Sequence, residues 1–127
     1  MYGVPAHLPL ARFVGCECHF IGIGAVQIQF HFLRGENGEA FGSINPEGKW
    51  ELRDQTGAII DESIEHSERR AYRVHKIIGL PVVGFALDPP RSFTLYFSRD
   101  YSLTIYDDNE HYESFSLVIN GEPSYHI

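Results

Sequence analysis

Cysteine is nearly absent from the chain. Cys16 and Cys18 are the only two in 127 residues, too few for a disulfide scaffold, and two positions apart in a strand their Cα atoms would stand about 6.8 Å apart, the outer limit for a bridge. No stretch approaches the ~20 apolar residues of a membrane helix. Residues 1–10 show no basic region followed by an apolar run, so no secretory leader is expected and the cytoplasm is the expected compartment. Basic residues are scarce too: 10 Lys+Arg stand against 17 Asp+Glu, a net charge of −7, which repels a phosphate backbone and argues against nucleic acid as a partner. The shortage is complete over residues 100–127, where Asp100, Asp107, Asp108, Glu110, Glu113 and Glu122 meet no Lys or Arg.

What is present points to a folded β domain. At 127 residues the chain fits one domain, and 43% of it is hydrophobic, ample for a core. Apolar and polar residues alternate with a period of two in run after run, the pattern of antiparallel strands. Val14, Cys16, Cys18 and Phe20 alternate with Gly15, Glu17 and His19, and Val26, Ile28, Phe30 and Phe32 alternate with Gln27, Gln29 and His31. With Gly22-Ile23-Gly24 as a three-residue turn, Phe20 falls opposite Val26, Cys18 opposite Ile28 and Cys16 opposite Phe30, so that apolar meets apolar. Further strands are expected at 39–44, 49–54, 58–60, 80–87, 93–97, 102–106, 111–119 and 124–127.

Residues 63–78 read as a helix. Ala71, Val74 and Ile78 fall at i, i+3 and i+7, acidic residues crowd the start, Arg69, Arg70, Arg73 and Lys76 follow, and Gly79 and Pro81 end it. The blocks on either side of it are alike: Gly15 leads through an apolar strand to Phe32, and Gly79 leads through another to Phe97. The expected fold is therefore mainly β, a β-rich α+β architecture. Two antiparallel meanders, 10–62 and 79–127, are joined by one helix at about 63–78 and packed as a sandwich or closed into a barrel, with the halves as candidate copies of one unit.

Chemistry is harder to find. Cys16-Glu17-Cys18-His19 brings metal ligands to mind, but strand alternation sends both thiols to one face and the imidazole to the other, and no second cysteine pair follows, so no metal is expected. His19, Gln27, Gln29 and His31 form a polar stripe that would line a ligand pocket between the meanders, with the solvated face of a half-buried sheet as the plainer reading. There is no nucleophile elbow, no phosphate-cradling glycine loop and no helical histidine pair, so no catalytic residue and no cofactor is assigned. The acidic tail holds the most unusual feature. Pairing Ile105 with Phe115 and Leu103 with Leu117 makes a C-terminal hairpin that sets Asp107 opposite Glu113, with Asp108 and Glu110 at its tip. Like charges face to face are unfavourable and call for a cation.

The segments Gly79-Leu80-Pro81-Val82-Val83, Phe93-Thr94-Leu95-Tyr96-Phe97, Ser102-Leu103-Thr104-Ile105-Tyr106-Asp107-Asp108 and Tyr112-Glu113-Ser114-Phe115 resemble a set of small uncharacterised bacterial β-rich proteins thought of as immunity proteins, cytoplasmic partners that neutralise a toxin domain. The resemblance covers about the last 50 residues, with a looser match from Trp50-Glu51-Leu52 to Gly57, and carries no catalytic position. It implies a non-enzymatic protein-binding module in which Asp107, Asp108, Glu110, Tyr112 and Glu113 contact a basic protein such as a toxin domain. A small-ligand-binding or enzymatic β-barrel with the His19, Gln27, Gln29 and His31 pocket is the alternative, and a homo-oligomer formed through strand edges is a third.

Overall fold

The computed structural model describes residues 3–25, 27–35, 38–64, 66–107 and 114–127. The fold is mainly β, and its ten strands form two antiparallel five-stranded sheets. The first sheet contains β1 (Glu17–Ile23), β2 (Ile28–Arg34), β3 (Glu39–Pro46), β9 (Phe115–Ile119) and β10 (Tyr125–His126), in the order β1-β2-β3-β9-β10. The second contains β4 (Trp50–Arg53), β5 (Ile59–Glu62), β6 (Val82–Asp88), β7 (Ser92–Phe97) and β8 (Ser102–Tyr106), in the order β5-β4-β8-β7-β6. Period-two alternation sends Ile28, Phe30 and Phe32 of β2, Phe93, Leu95 and Phe97 of β7, and Phe115, Leu117 and Ile119 of β9 into one buried core. Side chains from the two sheets meet there. The Phe32 and Phe97 rings stack at 6.5 Å, Phe30 meets Trp50 edge-on at 6.0 Å, and Phe93 meets Phe115 at 5.1 Å.

Several expectations fail for identifiable reasons. Both sheets are open, with β1 and β10 or β5 and β6 as edges, so there is no closed barrel. The β1–β2 turn lies at 24–27, where the Gly24 N–H donates to the Gln27 carbonyl at 2.8 Å, and the register pairs Cys18 with Phe32 and Ile21 with Phe30. A bulge between Cys18 and Phe20 adds one residue to β1 and reverses its alternation, which leaves Phe20 55% exposed and turns Ile21 toward the core. The expected C-terminal hairpin is also absent. β8 pairs with β4 and β7, whereas β9 pairs with β3 and β10 in the other sheet, so Leu103 and Leu117 share a core without sharing a ladder.

The helix expected at 63–78 is replaced by two single 3-10 turns, His66–Glu68 and Val74–Ile77. The buried Asp61 carboxylate accepts the backbone N–H of Arg73 at 2.6 Å and of Val74 at 3.0 Å, and it pairs with the Arg69 guanidinium. Arg69 also donates to the carbonyls of Glu62 and Ala71. These contacts wrap the segment around Arg69, and backbone groups that a helix would use internally go to Asp61 instead.

The two halves repeat one set of local contacts. The 3-10 turn Leu10–Phe13 recurs 64 residues later as Val74–Ile77 (10 to 74), each carrying two core side chains. The Val14 N–H donates to Ala11 O as that of Ile78 does to His75 O, and the Cys16 N–H donates to Phe13 O as that of Leu80 does to Ile77 O. Gly15 and Gly79 follow, with φ of 90° and 88°, a backbone that favours glycine. The halves then cross-bond reciprocally: Gly15 N–H to Val82 O and Gly79 N–H to Cys18 O, Val82 N–H to Cys16 O and Cys18 N–H to Leu80 O. The strand orders obey the same exchange, with β1, β2, β3, β9 and β10 of one sheet matching β6, β7, β8, β4 and β5 of the other. Each half therefore sends its last two strands into the sheet built by the other half.

Candidate functional site

A cleft of about 510 Å³ opens where the ends of the two sheets meet. The β1–β2 turn (Gly24, Ala25, Gln27) forms one wall, Gly48 and Lys49 between β3 and β4 form another, and Trp50, Arg69 and Tyr72 lie along the second sheet's side. Trp50, the only tryptophan in the chain, is 4% exposed, and its inward position follows from the alternation of β4, where Trp50 and Leu52 both face the core. The Arg69 guanidinium lies 4.1 Å from the Tyr72 ring centroid and 5.7 Å from that of Trp50. It is a buried cation paired with a buried anion, since the Arg69 and Asp61 side chains are 4% and 2% exposed. Among the described residues, Arg69 Nε is the buried side-chain nitrogen or oxygen left without a hydrogen-bond partner.

The rim carries both charge signs, with Lys49 and Arg69 on one side of the balance and Glu47 and Glu62 on the other. Lys49 Nζ sits 4.7 Å from the Tyr106 ring centroid. The Tyr106 hydroxyl donates to Glu51 Oε1 at 2.6 Å, and this hydrogen bond, followed by burial and the Glu51 charge, raises the phenol above its ordinary pKa. Such a surface can hold an amphipathic ligand: aromatic and aliphatic faces for apolar groups, a lysine for an acceptor.

The residues expected from sequence are distributed differently. Gln27 lines the cleft. Gln29 and His31 alternate with Ile28, Phe30 and Phe32 and so face away from the space between the sheets, where His31 Nε2 lies 3.1 Å from Gln29 Oε1 and Phe20 packs edge-on against the imidazole at 5.5 Å. His19 is exposed at the β1 bulge. Burial, with a smaller contribution from nearby His19, pushes the His31 pKa below its ordinary value. Asp107 is engaged within the chain, accepting the backbone N–H of Gly3 and, at 2.8 Å, the hydroxyl of Ser114. Asp108, Glu110, Tyr112 and Glu113 lie outside the described residues. Cys16 and Cys18 are buried free thiols, and burial raises both, Cys18 to about 12. Among the described residues no three His, Cys, Asp or Glu side chains group as metal ligands, and no helix is long and apolar enough to cross a membrane.

Sequence reasoning missed Arg69, Asp61, Lys49, Trp50 and Tyr72. Arg69 looks like one cation among four on a helix face, and nothing local marks Asp61, eight positions earlier, as its partner. The lone tryptophan is the one signal that stood out in composition. Compared with protein-family models, curated proteins and solved structures, the chain matches none.

Proposed function

We propose that the chain is a non-enzymatic binding module and that the cleft floored by Trp50 and Arg69 is its binding site. One observation carries this reading: a 510 Å³ opening lined by a cation stacked on aromatic rings, with a buried Arg69 nitrogen still lacking an acceptor. A concave, part-apolar site with a few placed polar groups is the usual form of a ligand pocket. The same reading takes the sheets as a sandwich of two diverged copies of one unit, supported by the contacts that recur 64 residues apart. It is tested by NMR of ¹⁵N-labelled protein against a library of small organic acids, amines and short peptides. Shifts should gather at Gly24, Gly48, Lys49 and the Trp50 indole; hits that all map elsewhere would overturn it.

A second reading is favoured by charge. Residues 100–127 hold six acidic residues and no Lys or Arg, so an immunity-like role, in which Asp108, Glu110, Tyr112 and Glu113 cover a basic partner such as a toxin domain, remains a proposal. Asp107 is already bonded to Gly3 and Ser114 and contributes less to it. Neutralising Asp108 and Glu110 should weaken capture of that partner and flatten its salt dependence. Equal binding at all salt concentrations refutes this second reading.

A further inference from the structure

The end of the fold that corresponds to the cleft is already occupied. Glu47 N–H donates to Ser114 O as Tyr106 N–H does to Lys49 O, and Ser63 N–H donates to Trp50 O as Ile127 N–H does to Phe115 O. Lys49 therefore stands where Ser114 stands in the other half, Trp50 where Phe115 stands, Gly48 where Asp107 stands, and the 24–27 turn where the β6–β7 turn stands. At that other end the chain's own start lies along the β6–β7 turn. The Val4 N–H donates to Pro90 O at 2.9 Å, the Gly3 N–H donates to the Asp107 carboxylate, and the Val4 side chain is 2% exposed. The linker that precedes Val74, at the chain position Gly3 and Val4 hold relative to Leu10, is tied instead to Asp61 through Arg69, and the cleft stays open.

Resting on the reading of the cleft as the binding site, we infer that it takes an extended peptide segment from a partner protein, presenting a small aliphatic side chain next to a carboxylate. The backbone and the aliphatic residue follow the example of Gly3 and Val4. The carboxylate follows from the exchange of groups: the occupied end offers an anion, Asp107, to a backbone N–H, whereas the cleft has Gly48 there and adds the Lys49 cation, so the anion comes from the ligand. Space allows it. A Cβ on Gly3 would come within 2.9 Å of Pro90 Cβ, but the cleft presents the smaller Ala25 at that point of the turn. Glu47 and Glu62 also line the cleft, so the segment's carboxylate belongs beside Lys49 alone.

The test uses the full chain and Trp50 emission, which reports the cleft without a label because no other tryptophan is present. The probes are acetyl-Asp-Val-Pro-Ala-amide, the same peptide with Lys for Asp, and N-acetylaspartate as a small-molecule control. A saturable change with the Asp peptide is expected, about tenfold weaker with the Lys peptide and about tenfold weaker for the Lys49→Ala variant. Ala25→Phe, at an exposed turn position, should abolish it while leaving the circular dichroism melt unchanged. A response to N-acetylaspartate as strong as to the peptide would keep the cleft as a ligand site and overturn the peptide. No saturable change with any probe, together with no NMR shifts in the cleft, would overturn both readings.

Discussion

Removing the Asp61 carboxylate should be the most damaging single change in the region around the cleft. Asp61→Ala leaves the Arg69 guanidinium, 4% exposed, without its counter-charge, and strips acceptors from the backbone N–H groups of Glu62, Arg73 and Val74. Breaking a buried ion pair from one side costs about 3–5 kcal/mol, because the remaining charge is desolvated and unpaired. Urea unfolding of a domain this size has a slope of about 2 kcal/mol per molar, so the midpoint should fall by about 2 M. Asp61→Asn keeps one acceptor oxygen and should lose about 2 kcal/mol. The double replacement Asp61→Leu with Arg69→Met removes both charges and should recover much of the loss, since an apolar pair of similar volume avoids the desolvation cost. The reasoning fails if Asp61→Ala costs less than about 1 kcal/mol, or if adding Arg69→Met to it destabilises further by as much as Arg69→Met does alone.

The strand exchange gives a sharper contrast at two glycines. A Cβ on Gly42 would meet the Val118 carbonyl oxygen at 2.1 Å in the β3–β9 ladder, so Gly42→Ala should cost about 3 kcal/mol or more by urea unfolding. Gly57→Ala, in open space at φ +81°, should cost only about 1–2 kcal/mol of left-handed strain; equal losses would refute the close approach. Cys18, with its thiol at about 12, is about one ten-thousandth thiolate at pH 8, so a thiol reagent should leave it unmodified in the native protein and label it once urea is added; rapid native labelling would contradict the burial. For His31 the folded pKa is lowered, so the unfolded chain binds more protons between the folded value and about 6.5. Its contribution is intact above pH 6.5 and is lost as pH falls through that window. Stability should drop there, and His31→Gln should flatten the drop; an unchanged pH profile in the variant would remove His31 as its source.

Strand positions were legible because each depends on local alternation. Phe93, Leu95 and Phe97, or Leu103 and Ile105, announce their faces without knowing their partners. Pairing was not legible wherever it depended on something distant. Apolar residues at Leu103, Ile105, Phe115 and Leu117 satisfy a hairpin ladder on paper as well as they satisfy two different sheets, because both arrangements bury the same side chains. The β1 bulge defeated the first register in the same way: one extra residue at His19 is invisible to a period-two count, yet it reverses the face of all that follows. The helix failed through competition. The segment has helical spacing and helical charge order, but Asp61 takes the N–H groups of Arg73 and Val74, and a buried ion pair then holds the chain in a loop.

The candidate site was the least legible part, and the exchange of strands explains why. The cleft draws the 24–27 turn and Gly48 and Lys49 from the joint between β3 and β4, where the first half crosses from one sheet to the other. Its counterpart lies where β8 gives way to β9, and there the sequences have parted most: Asp107 and Ser114 in place of Gly48 and Lys49, with Gly3 and Val4 lying along the β6–β7 turn. Core positions cannot diverge this way. Leu10 and Phe13, Val74 and Ile77, Phe32 and Phe97 all remain large and apolar, because each faces the shared interior and a cavity left by any of them would cost kilocalories. Crossing points bear no such constraint, so a fold with two matched ends can close one with its own chain and leave the other free to bind. The difference between the ends, rather than any motif in either, is what marks the site.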